Sequence, residues 1–476
     1  MIDPDVLKRD IPLPFMEKIT GMLSPDMRLC LVGGCLRDYL LGHSVSDWDL
    51  VMEGDLETFV RDLANSTGSS LVALDEKRGI YRVIPRNNPQ IYLDIARSRG
   101  SIGQDLTLRD FTINAIGLDL KNREILDPSN GIEDLRGRVL RVCHPESIKD
   151  DPLRILRGYR LSAGFSLEIL GETLSLMMAG REGLRRIAPE RIRDELFLML
   201  KMPGSWGVFF QLQKDRVLEI IFPDIIPMEG MAQNSFHRYD VLKHSLECLR
   251  QVEILMQSGF SSFGDMGGDL GDYCGKILKG GRSRGQLLKL ACLLHDVGKP
   301  RSRRVEGGVL YFIGHHEMGK DIWRNIGQEL KLSNQEIQMG SCLILHHMDP
   351  VFMPQMRDPL RQKESIYRFF WDTRIWAPGV LMLSFADVEA GMGTALRPEM
   401  IRIHHQFSLD LARRYFRGDS LAHPPKFLDG NEVIRILGIP PGPGVGKILQ
   451  DLDRASALGL VADKEGARQF VISHNT

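Results

Sequence analysis

The sequence predicts an α+β protein: a small mixed sheet with helices at the N-terminus, then a mainly α-helical remainder. Three observations predict it. A period-two stretch begins at Asp47, and strand-like runs follow at 70–74, 80–84 and 91–96. From about residue 144 the apolar positions recur at helical spacing instead. A chain of 476 residues also exceeds one ordinary core, so two to four domains are expected.

Composition narrows the class. A hydrophobic content of 43% with 26% charged residues is that of a globular protein. The net charge of −1 gives no global basic excess, so any contact with a polyanion needs a local patch. Seven scattered cysteines without a C-x-x-C pair point to neither a disulfide framework nor a thiolate zinc site. The opening MIDPDVLKRDIPLPF lacks a basic-plus-apolar signal, and no apolar run is long enough to span a membrane. A cytoplasmic protein without a membrane partner is expected.

Residues 1–30 read as an amphipathic helix, with Phe15, Met16, Ile19 and Met22 at helical spacing, leading into the opening strand. The stretch 31–54, LVGGCLRDYLLGHSVSDWDLVMEG, reads as a Gly-Gly turn, a short helix, a loop and a strand. Gly33 and Gly34 let the backbone turn tightly and approach a ligand. The helix carries Leu36, Tyr39 and Leu40 on its apolar side with Arg37 beside them, and its free N-terminal amides suit an anion. Gly42 stops it. From Asp47 the period becomes two, so Trp48, Leu50 and Met52 face one way and Asp47 and Asp49 the other. Paired carboxylates beside a phosphate-binding turn suit Mg²⁺. A lone Asp-x-Asp is more often a solvated strand face; the whole combination in one short window is far more specific.

A helix at 56–66 and strands at 70–74, 80–84 and 91–96 follow, which fits a small α/β layer. In the last strand Asp94 faces away from Leu93 and Ile95, as a third carboxylate or as an ordinary edge-strand Asp. The segment 109–115, RDFTINA, is by itself compatible with a helix start capped by its Asp. Arg109 suits a phosphate or a carboxylate partner, and Asp110 and Asn114 can hold a ribose hydroxyl. Residues 127–142 read as a turn, a short acidic helix start and a strand, mostly structural.

Gly-Gly, Arg-Asp, Leu-Leu-Gly and Asp-x-Asp within 31–54, followed by RDFTINA, resemble the signature of class II tRNA nucleotidyltransferases and bacterial poly(A) polymerases. The resemblance implies a nucleotidyltransferase palm, with Asp47 and Asp49 as catalytic metal ligands for Mg²⁺ and an incoming triphosphate. It implies that Gly33, Gly34 and Arg37 cradle phosphates and that Arg109, Asp110 and Asn114 contact sugar and phosphates.

Residues 144–165 read as strongly helical, with Asp150, Asp151, Arg154, Arg157 and Arg160 on one face. The ordinary meaning of such a face is a salt-bridged solvent surface. The family places an acidic-Asp-x-x-Arg element here, which implies that Asp151 and Arg154 read the base edge of CTP or ATP, with Arg157 and Arg160 also facing the nucleotide. The position before Asp151, commonly Glu in the family, is Asp150. The helix IAPERIRDELFLML at 187–200 reads as scaffold, including Arg191, Arg193 and Glu195.

From about residue 216 a second chemistry emerges. HRYDVLKHSLE supplies His237 and His244, and residues 263–285, rich in glycine, read as a flexible loop. Then come His295-Asp296 at the end of an apolar helix, the pairs His315-His316 and His346-His347, and Asp387. One buried His is usually a core residue, but this many imidazoles and carboxylates together are transition-metal ligands. Their order resembles the HD phosphohydrolases, which implies that His244, His295, Asp296 and Asp387 hold a divalent transition metal and that His315, His316, His346 and His347 offer ligands for a second. A degenerate domain kept for packing is the competing reading. The tail is helical, and its Pro/Gly turn at 438–447 feeds a helix N-terminus near Lys447, suited to an RNA phosphate or serving as a plain connection.

The expected organisation is a palm at 1–143, a neck with the base-selecting helix at 144–215, an HD domain at 216–395 and a helical, tRNA-facing tail at 396–476. The resemblance implies template-independent addition of C and/or A from CTP and ATP to the tRNA 3′ end, with a phosphohydrolase activity in the HD domain. The alternatives are a poly(A) polymerase, a phosphohydrolase whose palm only binds RNA, and a non-catalytic tRNA-binding module. Only the short run IARSRGSIGQDLTL separates Asp94 from Arg109. Family members that add the whole CCA have a longer flexible loop in this region, so the resemblance implies a chain that stops after CC.

Overall fold

A computed structural model describes residues 3–9 and 11–473. The chain divides into two units, Met1–Ala188 and Pro189–Thr476.

The first unit is built on a seven-stranded sheet. Its strands are β1 (Arg28–Val32), β2 (Asp47–Glu53), β3 (Ser70–Asp75), β4 (Ile80–Ile84), β5 (Tyr92–Arg97), β6 (Gly117–Asp119) and β7 (Ile125–Leu126), in the order β3-β4-β5-β2-β1-β6-β7. β2 and β5 are parallel and the other neighbours antiparallel, so the sheet is mixed. The two-residue period decides which face each strand gives to the core. Leu29 and Leu31 of β1, Trp48, Leu50 and Met52 of β2, and Leu93 and Ile95 of β5 join one large apolar cluster. Cys30, Val32 and Val51 turn to the other face, where Ile102 and Leu106 of the helix Ile102–Thr107 cover them. Asp47 and Asp49, at the start of β2 on the same face, remain exposed.

Two expectations for this unit need correction. Among the described residues of 1–30 there are two short helices, Val6–Arg9 and Met16–Gly21, not one. Phe15 enters the second with φ 62, so it lies outside helical geometry, although Ile19 is buried and Phe15, Met16 and Met22 pack against the core. Residues 144–165 are likewise broken. The helix Ser147–Asp150 ends, Asp151 is extended (φ −147, ψ 96), and a new helix runs Arg154–Phe165. Pro152 causes the break, because its ring excludes the residue before it from the helical region. Asp150 and Asp151 therefore do not share a helix face with Arg154, Arg157 and Arg160.

The second unit is mainly helical. The helices Val241–Gln257, Arg284–Leu294, His315–Glu329, Asn334–His346 and Ala377–Gly391 surround the histidines. The glycine-rich segment is not a loop throughout: Gly267–Gly275 is helical, with Leu270 and Tyr273 buried. Met266, Leu270 and Tyr273 recur at helical spacing, and their burial overrides the poor propensity of the glycines between them. The tail helices Gly430–Leu437, Pro443–Leu458 and Lys464–Ser473 enclose a small cluster of their own around Val433, Leu452 and Ala467. No helix among the described residues is long and apolar enough to cross a membrane.

Candidate active site and metal centre

The first site is assembled on the face of the sheet that carries Asp47 and Asp49. The parallel register sets Asp49 beside Asp94, so both project from that face with Asp47. Asp94 is held by Arg82 through two bonds of 2.7 Å, and the Arg82 guanidinium lies 3.8 Å over the Tyr92 ring. Asp47 accepts from Ser46 Oγ at 3.0 Å. Surrounding protein raises the Asp49 carboxyl above its ordinary pKa; Arg109 pulls it down, while Asp94 and Asp47 push it further up. A crowd of carboxylates with too little positive charge to balance it fits a divalent cation.

Gly33 closes the site. Its backbone (φ 87, ψ −145) is one that only glycine adopts readily, and a Cβ there would stand 2.6 Å from Arg109 Nη1 and 3.6 Å from Asp49 Oδ2. Gly34 begins the helix Gly34–Leu40 directly behind it. Arg109 lies 3.5 Å from Asp105, and its buried Nε has no hydrogen-bond partner, so it keeps a donor for a phosphate oxygen.

Arg37, Asn114, Asp110 and Arg157 form one chain of contacts. The buried Arg37 donates from Nη1 to Asn114 Oδ1 (2.6 Å), binds Asp38 and stacks 4.3 Å over Phe165. Asn114 Nδ2 donates to Asp110 Oδ1 (3.0 Å), and Arg157 lies 2.9 Å from Asp110 Oδ2. Burial alone would raise the Asp110 carboxyl, but Arg157, Asn114 and the Phe111 amide together hold it below its ordinary value. Arg154 is tied to the same region. Nη1 donates to Ser147 Oγ (2.7 Å) and to the Ser147 and Arg109 carbonyls (both 3.3 Å), and Nη2 donates to the Leu108 carbonyl (3.1 Å). Asp151 Oδ1 accepts from the Leu153 amide at 3.2 Å, capping the turn that leads into the Arg154 helix. Arg160 lies on that helix, close enough to Arg37 for their charges to repel.

The second site lies in the second unit. His244 Nε2 is 2.8 Å from Asp387 Oδ1, and His295 Nε2 is 3.2 Å from Asp296 Oδ2 and 3.4 Å from Asp387 Oδ1. His315 Nε2 lies 3.6 Å from Asp296 Oδ1 and 3.3 Å from His347 Nε2. Gly298 permits this approach: a Cβ on it would meet the His315 carbonyl oxygen at 2.0 Å. Of each His-His pair, one ring turns inward. His315 and His347 enter the cluster; among the described residues His316 and His346 belong to no such group, and His346 instead meets Asp349 at 2.8 Å. His237, to which no sequence motif assigns a role, lies with His244 and Asp387.

Burial lowers the His347 imidazole to about 3 and that of His315 to about 4, which leaves both neutral. Burial would raise Asp387, but the hydrogen bond from His244 and the charge of the nearby His295 ring hold it well below the usual carboxylate range. Neutral His315 and His347 beside ionised carboxylates are the protonation states a metal requires, whereas His295, which burial alone would lower, is held well above its ordinary value by Asp296. His295 Nε2 and Asp296 Oδ1 are buried without hydrogen-bond partners, which also fits a bound cation.

Comparison with known proteins covers both sites. The poly A polymerase head domain matches residues 29–101 and 96–141, the domain described as "Probable RNA and SrmB- binding site of polymerase A" matches 164–228, and the HD domain matches 241–374. The chain is 32% identical over 448 residues to the A-adding tRNA nucleotidyltransferase of Deinococcus radiodurans, covering 93% of this chain and 94% of that one. It is 30% identical over 450 residues to the CC-adding tRNA nucleotidyltransferase of Thermus thermophilus, covering 93% and 92%. The Thermotoga maritima CCA-adding enzyme complexed with tRNA shares the fold, with a TM-score of 0.63 at 20% identity, over 100% of this chain and 99% of that one. A CCA-adding enzyme complexed with CTP gives 0.66 at 20% identity, over 100% and 99%.

Proposed function

The chain belongs to the tRNA nucleotidyltransferase family, and from that premise we propose that it adds the two C residues to the tRNA 3′ end at the Asp47–Asp49 face and stops there. Asp47 and Asp49 would hold Mg²⁺, which when bound neutralises the triphosphate and eases deprotonation of the primer 3′-hydroxyl. Gly33 and Arg109 offer backbone room and a free donor to the phosphates. Asp110 and Asn114, fixed between Arg37 and Arg157, set the sugar side of the pocket. Asp151 and Arg154 choose the base, Arg154 from a position braced on the Leu108 and Arg109 carbonyls.

One observation carries the limit to CC. The link after β5 is short and ordered: four residues lead into the helix Ile102–Thr107, which is locked by a capping box between Ser101 and Gln104. Such a link has little reach with which to reorient the base-selecting helix from C to A. A second enzyme would then add the terminal A. Transcripts ending before C74, before C75 and before A76, each given CTP, ATP or both, test this. Extension of the first two by CTP alone, with the third inert to ATP, supports the reading; extension of the third by ATP defeats the CC limit.

The His/Asp cluster supports a second activity, metal-dependent phosphohydrolysis, with a divalent transition metal on His244, His295, Asp296 and Asp387 lending Lewis acidity toward a phosphate ester. Replacing Asp47 and Asp49 by Ala separates the two activities: nucleotide incorporation should vanish and hydrolysis persist. We read the chain as palm 1–143, neck 144–215, HD body 216–395 and tail 396–476, working in the cytoplasm.

A further inference from the structure

The imidazoles of the HD centre share one hydrogen-bonding habit. Nδ1 of His295, His315 and His347 each meets the backbone carbonyl three residues earlier, those of Cys292 (2.8 Å), Phe312 (2.8 Å) and Ile344 (2.7 Å). His244 Nδ1 faces the Ala390 carbonyl at 3.4 Å. A ring held at Nδ1 by an acceptor keeps its proton there once a metal takes Nε2; without a metal, His244 Nε2 donates to Asp387 instead, at 2.8 Å.

His237 follows the same habit. Its Nδ1 lies 2.9 Å from Asn234 Oδ1, again three residues earlier, so Nε2 is the nitrogen left available. Its ring stands edge-on to His244, with centroids 4.7 Å apart. One ring nitrogen lies within 4.8 Å of donor atoms of both His244 and Asp387.

The backbone around His237 is fixed. Residues 235–238 pair with 391–395, directly beyond the helix that carries Asp387. The bonds are Arg238 N to Gly391 O (2.8 Å), Gly393 N to Phe236 O (3.0 Å) and Ala395 N to Ser235 O (2.9 Å). His237 and Asp387 are thus held by one clamp. The same segment sends Gln233 to Lys299 Nζ (2.7 Å), and that lysine pairs with Asp296 at 2.6 Å. His237 is half-buried, whereas His244 and His295 are fully enclosed, which puts it at the mouth of the cluster.

We propose that His237 is a further metal ligand of this centre, acting with His244 and Asp387 at its solvent-facing mouth. The donor set then comprises five imidazoles and two carboxylates. So nitrogen-rich a set favours a borderline transition ion such as Zn²⁺, Co²⁺ or Ni²⁺ over Mg²⁺ or Ca²⁺. The inference rests on reading the cluster as a metal site, and the experiment separates the two.

Full-length protein is stripped with a chelator and titrated with Co²⁺. Visible ligand-field absorption is followed, and bound cobalt is counted by elemental analysis after desalting. His237→Ala and His237→Gln should each weaken uptake of one Co²⁺ per chain at least about tenfold and alter the visible band. Thermal unfolding of the metal-free proteins checks that the variants fold. If the Ala variant melts earlier than its metal-free parent, the Gln variant, which keeps a polar group of similar reach, decides. Variants with the parent's stoichiometry, affinity and spectrum would overturn the role of His237. A parent that takes up no Co²⁺ would overturn the metal-site reading and this inference with it.

Discussion

Arg154→Ala should cause two separable losses. The first is structural. The guanidinium donates to Ser147 Oγ at 2.7 Å and to three backbone carbonyls at 3.1–3.3 Å, and Ser147 is fully buried. A hydrogen bond from a charged group contributes about 1.5–3 kcal/mol when its acceptor is left unsatisfied, but this side chain is only partly buried and water replaces some of its contacts. A net cost of about 2 kcal/mol is expected, which lowers the melting temperature of a unit of this size by about 4–8 °C. The second loss is in base choice. A charged pair reading a base edge discriminates by about 1–3 kcal/mol, roughly 5- to 150-fold. The assay measures kcat/KM for CTP and UTP on tRNA lacking its terminal nucleotides, beside a thermal melt. Arg154→Lys should restore part of the melting temperature and little of the discrimination, because an ammonium cannot reproduce the planar fork. If the melting temperature falls while the CTP/UTP ratio stays at the parent's value, Arg154 is a brace and not a base reader.

Other expectations follow from single features. Gly33→Ala puts a methyl 2.6 Å from Arg109 Nη1 at φ 87, so kcat/KM for CTP should fall on the order of 100-fold; a near-parental value would show that the turn does not shape the triphosphate site. His295→Ala with Asp296→Ala should abolish metal-dependent hydrolysis of phosphomonoesters or 2′,3′-cyclic phosphates while C addition continues, and joint loss in a folded variant would contradict two independent sites. Burial, with His405 adding to it, lowers His404 to about 3, with Ser384 Oγ 3.0 Å from its Nε2. The unfolded chain therefore takes up this proton first as pH falls below about 6.5, and stability drops by about 1.4 kcal/mol per pH unit from there toward pH 3. Urea melts of His404→Asn in the metal-free protein should show a shallower pH slope across that window than the parent, and an equal slope would exclude His404 as a source.

What the sequence discloses depends on how local the cause is. Strands β2 to β5 lie within a residue or so of their expected bounds, because alternation in DWDLVM or YLDIA is set by nearest neighbours. The same alternation puts Asp47, Asp49 and Asp94 on one face. The spatial meeting of His244, His295, Asp296 and Asp387 is also legible from residue type and order, through the resemblance to a known family. The break at Asp151 was readable, since Pro152 stands in the sequence, but the regular recurrence of charge masked it. The helix Gly267–Gly275 was hidden for the opposite reason: its glycines argue for a loop, and only tertiary burial of Leu270 and Tyr273 forms it. Adjacent residues on a helix diverge by about 100°, so the sequence cannot say which of His315 and His316, or of His346 and His347, turns inward. His237 went unassigned because a backbone clamp to residues 391–395 positions it, and no local pattern announces that pairing.

The most direct test of the whole account is a single-turnover reaction on tRNA that lacks all three terminal nucleotides, with CTP, ATP and Mg²⁺ present together. A product ending in CC that persists without further extension is expected. Efficient conversion to CCA would contradict the limit to CC, and an unextended tRNA would contradict C addition itself.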